Sequence, residues 1–406
     1  MQYLNFDLHI ASSTTQGYPL RADSELGQAP GICKLNVAAP DIKERLAAIA
    51  EEKTEPLPLL GEQLAQCLLA DEIKELFLKT VGAAQGQKKT GVRVRLRIDP
   101  PELAALPWEL MRLDTGPLAV STTHVITRFI ELKDVPMRDL AAPRPIRVLG
   151  IIPQGSGLDV AREKAALDKA VTKLGDALTL TWLEGIVTTD RVREALGEAD
   201  YHVIHFIGHG QSKSGEANLQ LNDDYGDECT VSAEESAGFF RNRDSVRLVV
   251  LNACQSATPS PTNNMTGVAQ QTVGHGVPAV VAMQWEINDR VAQKFAQMFY
   301  QTLCIGLEAG EVDTAVTRAR AALHDEYKGK REFATPILFL RAADGQLWHQ
   351  AAEVPAAKRD QKTFGDTITI GNIGNRTAVA AGRGASAIVK SERRKRTKRS
   401  GSVGKN

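Results

Sequence analysis

Two side chains in this sequence have the chemistry to attack a peptide bond: the imidazole of His209 in FIGHG and the thiol of Cys254 in VVLNACQSA. A thiol near its unperturbed pKa is mostly protonated at pH 7, and a neighbouring imidazole raises the thiolate fraction or takes the proton during attack. The same imidazole can then protonate the leaving amine. Gly208 and Gly210 let a loop bend tightly around the histidine, and the backbone amides of Gly210 and Cys254 can face a developing oxyanion with no side chain in the way. Alone, a cysteine at a strand end reads as a small buried hydrophobe. Joint placement with a histidine at one edge of a sheet favours the nucleophile. His202, His205 and His209 would share a helix face and suggest zinc, but VIHFI is short and β-branched, so it reads as a strand with 202 and 205 on opposite faces. The reading calls for no metal and no cofactor.

The elements that must position the pair follow from residue 146 onward, where short β-branched runs alternate with amphipathic stretches. This is the pattern of a parallel sheet covered by helices on both faces. The six strands expected are IRVLGII (146–152), LTLTWLEG (from 178), YHVIHFI (201–207), VRLVVLN (ending at 252), VPAVVAMQW and ILFL (337–340). Helices are expected over 160–174, through VTTDRVREAL, from near Ser232, and over 265–275, 288–304 and 311–326. In a doubly wound sheet functional groups collect at the carboxyl edge of the strands. His209 stands two residues past the third strand and Cys254 two past the fourth. The first 142 residues read as a supporting subdomain, with helices at 40–53 and 58–79 and a half-exposed strand in KKTGVRVRLRIDP.

The composition, 43% hydrophobic and 24% charged over 406 residues, is that of an ordinary globular chain. Its zero formal net charge is a cancellation: residues 351–406 carry 13 basic and 4 acidic side chains, so +9 lies there and −9 upstream. Residues 366–389 carry short alternating runs punctuated by Gly and Asn, which suggests small β-turn-β rungs. KSERRKRTKRSGSVGKN is too charged to fold alone and reads as a flexible basic tail, either simply solvated, in contact with nucleic acid or an acidic partner, or a site of self-cleavage. Cys33, Cys67, Cys229, Cys254 and Cys304 lack paired spacing and do not look like a disulfide framework, so a reducing compartment is the simpler assumption. With no long apolar run and no secretory pattern, the chain reads as soluble and cytoplasmic, without a membrane span.

HFIGHG around His209, LVVLNACQSA around Cys254 and LRIDPPELAALPWELM, with Leu106, Pro107, Trp108 and Glu109, together resemble the CHAT family, caspase-like peptidase domains related to separases and caspases. GVPAVVAMQWEINDRVAQKFAQMFYQTL and DTAVTRARAAL are similar to the segments these domains carry after the nucleophile, and the resemblance covers about residues 60–345. It implies a caspase-hemoglobinase-like α/β fold with a doubly wound, mostly parallel six-stranded sheet, the peptidase domain spanning 143–350. It also implies cleavage of a protein substrate by His209 as base and Cys254 as nucleophile, with the amides of Gly210 and Cys254 as oxyanion donors. The string Asn252-Ala253-Cys254-Gln255-Ser256 departs from the Gln-Ala-Cys-x-Gly of caspases proper, which weakens any inference of cleavage after Asp. In such folds the loop after the fifth strand helps form the specificity pocket. Here that loop supplies Trp285, Glu286 and Asp289, and an acidic group there favours a basic residue before the cut bond. The alternative for the two carboxylates is that they open the next helix. The Gly/Asn-punctuated end resembles those of bacterial conflict-system proteins, which implies defence or regulated cell death, a substrate encoded nearby and an activating partner. The rival expectation is a catalytically silent scaffold of the same family, used for protein interaction.

Overall fold

The computed structural model describes residues 2–132, 137, 141–142, 144–155, 160–213, 216–255 and 265–350; at 141–142, 162, 210–213, 216–217, 253–255, 265, 289 and 350 it describes the backbone alone. The expected β-turn-β rungs and basic tail of 351–406 lie outside the described residues.

Thirteen strands form one sheet: β1 Gln2–Ile10, β2 Tyr18–Ser24, β3 Gly27–Cys33, β4 Thr90–Ile98, β5 His124–Phe129, β6 Ile146–Pro153, β7 Leu178–Gly185, β8 Val203–Lys213, β9 Glu216–Asn222, β10 Glu228–Ser232, β11 Leu248–Gln255, β12 Ala279–Met283 and β13 Pro336–Leu340. Eleven lie side by side in the order β7-β6-β8-β11-β12-β13-β5-β4-β1-β2-β3, while β9 and β10 extend from β8 as a hairpin. The six expected strands are present and contiguous, β7 to β13 along this path. The sheet is not six-stranded, however, because β13 pairs on its far side with β5 in parallel and the sheet continues through β4 and β1. Two features concealed this. β5 is separated in sequence from its partner β13 by about two hundred residues, and β4 hides its burial behind arginines. Arg93 donates through Nε to Asp313 at 2.6 Å and Arg95 binds Asp7, so a strand that reads as half-exposed is mostly buried. β12 and β13 run antiparallel; β7, β6, β8, β11 and β12 are mutually parallel.

The helices are α1 Pro40–Ala50, α2 Pro56–Leu68, α3 Asp71–Gln85, α4 Pro101–Ala104, α5 Val160–Leu174, α6 Thr189–Glu198, α7 Ala233–Gly238, α8 Met265–Gly274, α9 Asp289–Cys304 and α10 Val312–Glu326. Thr188, Ser232 and Asn288 cap α6, α7 and α9 by accepting from backbone amides three residues on, the role short polar side chains serve at a helix start. The stretch expected as one helix over 58–79 is two, broken at Leu69 and Ala70. Cys33 at the end of β3 and Cys67 in α2 form a disulfide with Cα atoms 4.9 Å apart, which corrects the reading of the cysteines as unpaired. The pairing was hidden because the two residues are 34 apart in sequence and meet only when α2 packs near the edge of the sheet. No helix among the described residues is long and apolar enough to cross a membrane.

Strand residues alternate between two cores, as a pleat of period two requires. Val203, Leu248, Val250, Ala279 and Val281 enter the core that also holds Leu167 of α5, Phe295 and Tyr300 of α9 and Val316 of α10. Ile204, Phe206, Val249, Leu251, Val280 and Ala282 enter the opposite core with Val192 of α6, Phe239 just past α7 and Val268 of α8.

Candidate functional site

The same alternation places the chemistry-bearing positions. In β8, 203, 205 and 209 share a face; in β11, 248, 250 and 254 share the same one, that of α5 and α9. His209 and Cys254 are register partners on these adjacent parallel strands, and neighbouring strands run about 4.8 Å apart. Neither lies in a loop beyond its strand, as the sequence suggests. β8 continues past His209 to Lys213 because β9 folds back beside it, Gly210 opposite Leu219, and β11 reaches Gln255 against the lengthened β8. A strand persists while a neighbour supplies its backbone hydrogen bonds. Gly208 therefore serves space rather than bending: a Cβ there would come within 3.0 Å of the Phe206 ring. Gly210 lies in the ladder between Leu219 and Gln255.

His209 is partly exposed and lines a narrow crevice with Pro153, Gln154, Gly155, Gln220 and Glu228. Its Nδ1 is buried and has no hydrogen-bond partner among the described residues. Buried ring nitrogens are usually paired, so this atom is available to a group that arrives with substrate or with a small shift of the crevice wall. Asn222 fixes that wall. Its Oδ1 accepts from the amides of Gln154 and Val187, both at 3.0 Å, and its Nδ2 donates to the carbonyls of Gln154 at 3.0 Å and Gly226 at 3.3 Å. One buried amide thus joins the ends of β6 and β7 to the β9–β10 turn. The sequence shows this residue only inside a polar stretch, NDDYGD; its one readable signal is the apolar alternation of LQLN just before it.

The other two histidines are structural. His202 Nδ1 accepts from the amide of Arg147 at 3.0 Å, and His205 Nδ1 lies 2.7 Å from the hydroxyl of Tyr300 in α9. Among the described residues no cluster of three or more His, Cys, Asp or Glu can hold a metal ion. Burial pulls the His205 pKa down to about 3, whereas an unfolded-chain histidine titrates near 6.5. Below that pH the unfolded chain takes up a proton that the folded protein refuses. The stability tied to His205 is therefore intact above pH 6.5 and falls by about 1.4 kcal/mol per pH unit below it. Urea unfolding at pH 7.5 and pH 5.5 is expected to show this loss in wild type and a flatter dependence in His205→Leu; equal slopes would disprove the assignment.

Trp285, Glu286 and Asp289 follow β12 directly, with Asp289 the first residue of α9. Leu251 of β11 is in register with Ala282 of β12, so Cys254 and Trp285, each three positions on, stand at the same edge. Glu286 is exposed, and Trp285 is half-buried with the Arg331 guanidinium 5.3 Å from its ring centre. Arg331 in turn donates to the carbonyl of Ala50 at 2.8 Å, at the end of α1. The root of the loop is held by Gln284: its amide donates to the carbonyl of Thr335 at 2.9 Å and its side chain to Glu109 Oε2 at 3.3 Å. Glu109, from LPWEL, is 1% exposed and takes a bidentate pair from Arg128 at 2.8 and 3.1 Å, with Arg320 4.0 Å away. Burial pulls Arg320 down to about 10 although Glu109 raises it, so it stays charged at neutral pH. The motif that looks like a signature in sequence is thus the buried counter-ion under the loop.

A family model described as "CHAT domain" matches residues 58–355, about three-quarters of the chain. Two solved structures of the Saccharomyces cerevisiae separase–securin complex, at 3.0 and 2.6 Å resolution, are similar over 74% and 76% of this chain, at 17% and 16% identity and a TM-score of 0.40 in both cases. The chain spans 20% of each of those matched chains. Among curated proteins, none matches.

Proposed function

The chain belongs to the CHAT domain family, and from that premise we propose that it is a cysteine endopeptidase in which His209 is the base and Cys254 the nucleophile. The observation that carries the reading is their register: the two stand side by side on adjacent parallel strands, on the same face, at the edge where the loop carrying Trp285 emerges. Parallel strands bring such groups together without a long lever arm, which suits a proton transfer over hydrogen-bond distance. The amides of Gly210 and Cys254 are the proposed oxyanion donors. Both sit in the ladder between β8 and β11, so this role asks the strand ends to part when a peptide enters.

Glu286 is the proposed source of a preference for a basic residue before the cut bond, tempered by Arg331, whose pKa burial pulls below the usual arginine range while Glu52, Glu332 and Glu286 act against that fall. The substrate is a protein, and the setting in bacterial defence or regulated cell death follows from the C-terminal segment by resemblance. Peptide probes bearing a thiol-reactive group test the reading. A probe with Arg before the reactive group is expected to label wild type at Cys254, faster than its Asp counterpart, and to label His209→Ala far more slowly. Equal labelling of wild type and His209→Ala would favour a catalytically silent scaffold, and faster labelling by the Asp probe would remove the basic preference while leaving the dyad.

A further inference from the structure

Asn252 stands two residues after Val250 and two before Cys254 in β11, so strand parity sets it on the face of the proposed dyad. It is 5% exposed, and its Oδ1 is buried with no hydrogen-bond partner among the described residues. Its register partner on β8 is Ile207, which makes His209 its diagonal neighbour. With strands about 4.8 Å apart and residues about 3.3 Å apart along each, the two Cα atoms lie about 8 Å from one another, a gap that side chains leaning together close to hydrogen-bond distance.

Packing gives no reason for an amide at this position. Asparagine is poorly suited to strands, and a buried polar atom without a partner forfeits its bonds to water for nothing in return. Elsewhere the fold meets that cost: Asn222 uses both ends of its amide, and His205 Nδ1 meets the Tyr300 hydroxyl. Among the described residues, His209 holds the one imidazole nitrogen and Asn252 the one carboxamide atom that are buried and unpaired. The two are neighbours, and their chemistry is complementary, since Nδ1 can carry a proton and Oδ1 can only accept one.

We infer that Asn252 is a positioning residue for the peptidase reaction, its Oδ1 accepting the Nδ1–H of His209 as substrate enters; the inference rests on the His209–Cys254 reading. To take a proton from the thiol through Nε2, a neutral imidazole must carry its own hydrogen on Nδ1, and an acceptor there selects that tautomer and fixes the plane of the ring. The bond persists once Nε2 is protonated, so it also steadies the imidazolium until the proton passes to the leaving amine. Asn252 itself exchanges no proton and forms no bond to substrate.

Asn252→Leu and Asn252→Asp in the full chain, beside wild type and His209→Ala, test this through three readouts: the rate at which the Arg probe labels Cys254, the melting temperature, and the pH at which the His209 ring resonances titrate. Leucine keeps the shape of asparagine without its polar atoms. Asn252→Leu is therefore expected to melt no lower than wild type yet to label about tenfold more slowly, short of the about 10²–10⁴-fold of losing the base. Aspartate restores the acceptor and adds a charge beside the ring, so Asn252→Asp should label within about threefold of wild type and titrate His209 about one pH unit higher. A residue that merely packs would move neither the rescue nor the titration. Labelling of Asn252→Leu at the wild-type rate, labelling of Asn252→Asp no faster than that of Asn252→Leu, or a His209 titration that Asn252→Asp leaves in place would overturn the inference and leave the dyad standing. Equal labelling of wild type and His209→Ala would remove the dyad, and the role of Asn252 with it.

Discussion

Cys254→Ala is expected to abolish cleavage of any protein that the wild type cuts when the two are co-expressed, and His209→Ala to lower the rate by about 10²–10⁴-fold, the range for a positioned general base. The double variant should be no worse than Cys254→Ala alone, because groups that act as one unit do not lose their contributions additively. A second readout separates chemistry from folding. A thiol with an ordinary pKa near 8.5 is only about 1% thiolate at pH 6.5, whereas one paired with imidazolium is largely ionised there. Alkylation of Cys254 by iodoacetamide at pH 6.5 should therefore drop steeply in His209→Ala and recover above pH 9. Cleavage that persists in Cys254→Ala would end the nucleophile assignment. Alkylation profiles that coincide in wild type and His209→Ala would end the pairing.

The part of this site that could be read from sequence is the part set by local pattern. The runs IRVLGII, YHVIHFI and VRLVVLN declare strands because β-branched residues recur without helical spacing, and strand parity alone puts 203, 205 and 209 on one face. The ends of those strands could not be read. Whether β8 stops at Ile207 or runs to Lys213 depends on β9 returning beside it, and nothing within FIGHG encodes that neighbour. The extent of the sheet was hidden for a related reason. Arg93 and Arg95 mark β4 as half-exposed until Asp313 and Asp7 arrive, one from α10 and one from β1. Glu109 is the sharpest case: a carboxylate beside a tryptophan looks like surface or signature, and only tertiary structure brings Arg128, Arg320 and Gln284 around it.

That buried cluster carries the second large expectation, a loss of about 3–5 kcal/mol in Glu109→Gln. The substitution keeps the shape and removes the charge. It leaves Arg128 and Arg320, 4% and 0% exposed, facing each other with the neutral carbonyls of Ala104, Leu106, Ile126 and Pro336 around them. An exposed pair behaves differently: Lys294→Ala, which frees Glu326 at the surface, should cost less than about 1 kcal/mol. Urea unfolding of the three proteins measures both. A loss in Glu109→Gln as small as that in Lys294→Ala would mean that the cluster is not a stabilising unit. Its position under Gln284 adds an effect that stability alone does not produce. Leu8→Ala, in β1 and two strands from the β5 that carries Arg128, should cost a similar ~2–5 kcal/mol through the cavity it leaves while keeping every charge of the cluster. At a temperature where both variants remain folded, Glu109→Gln should slow probe labelling of Cys254 and blunt the proposed preference for a basic residue, because Trp285 and Glu286 lose the base on which their loop rests. Leu8→Ala should leave both unchanged, and equal effects in the two variants would reduce Glu109 to a residue of stability alone.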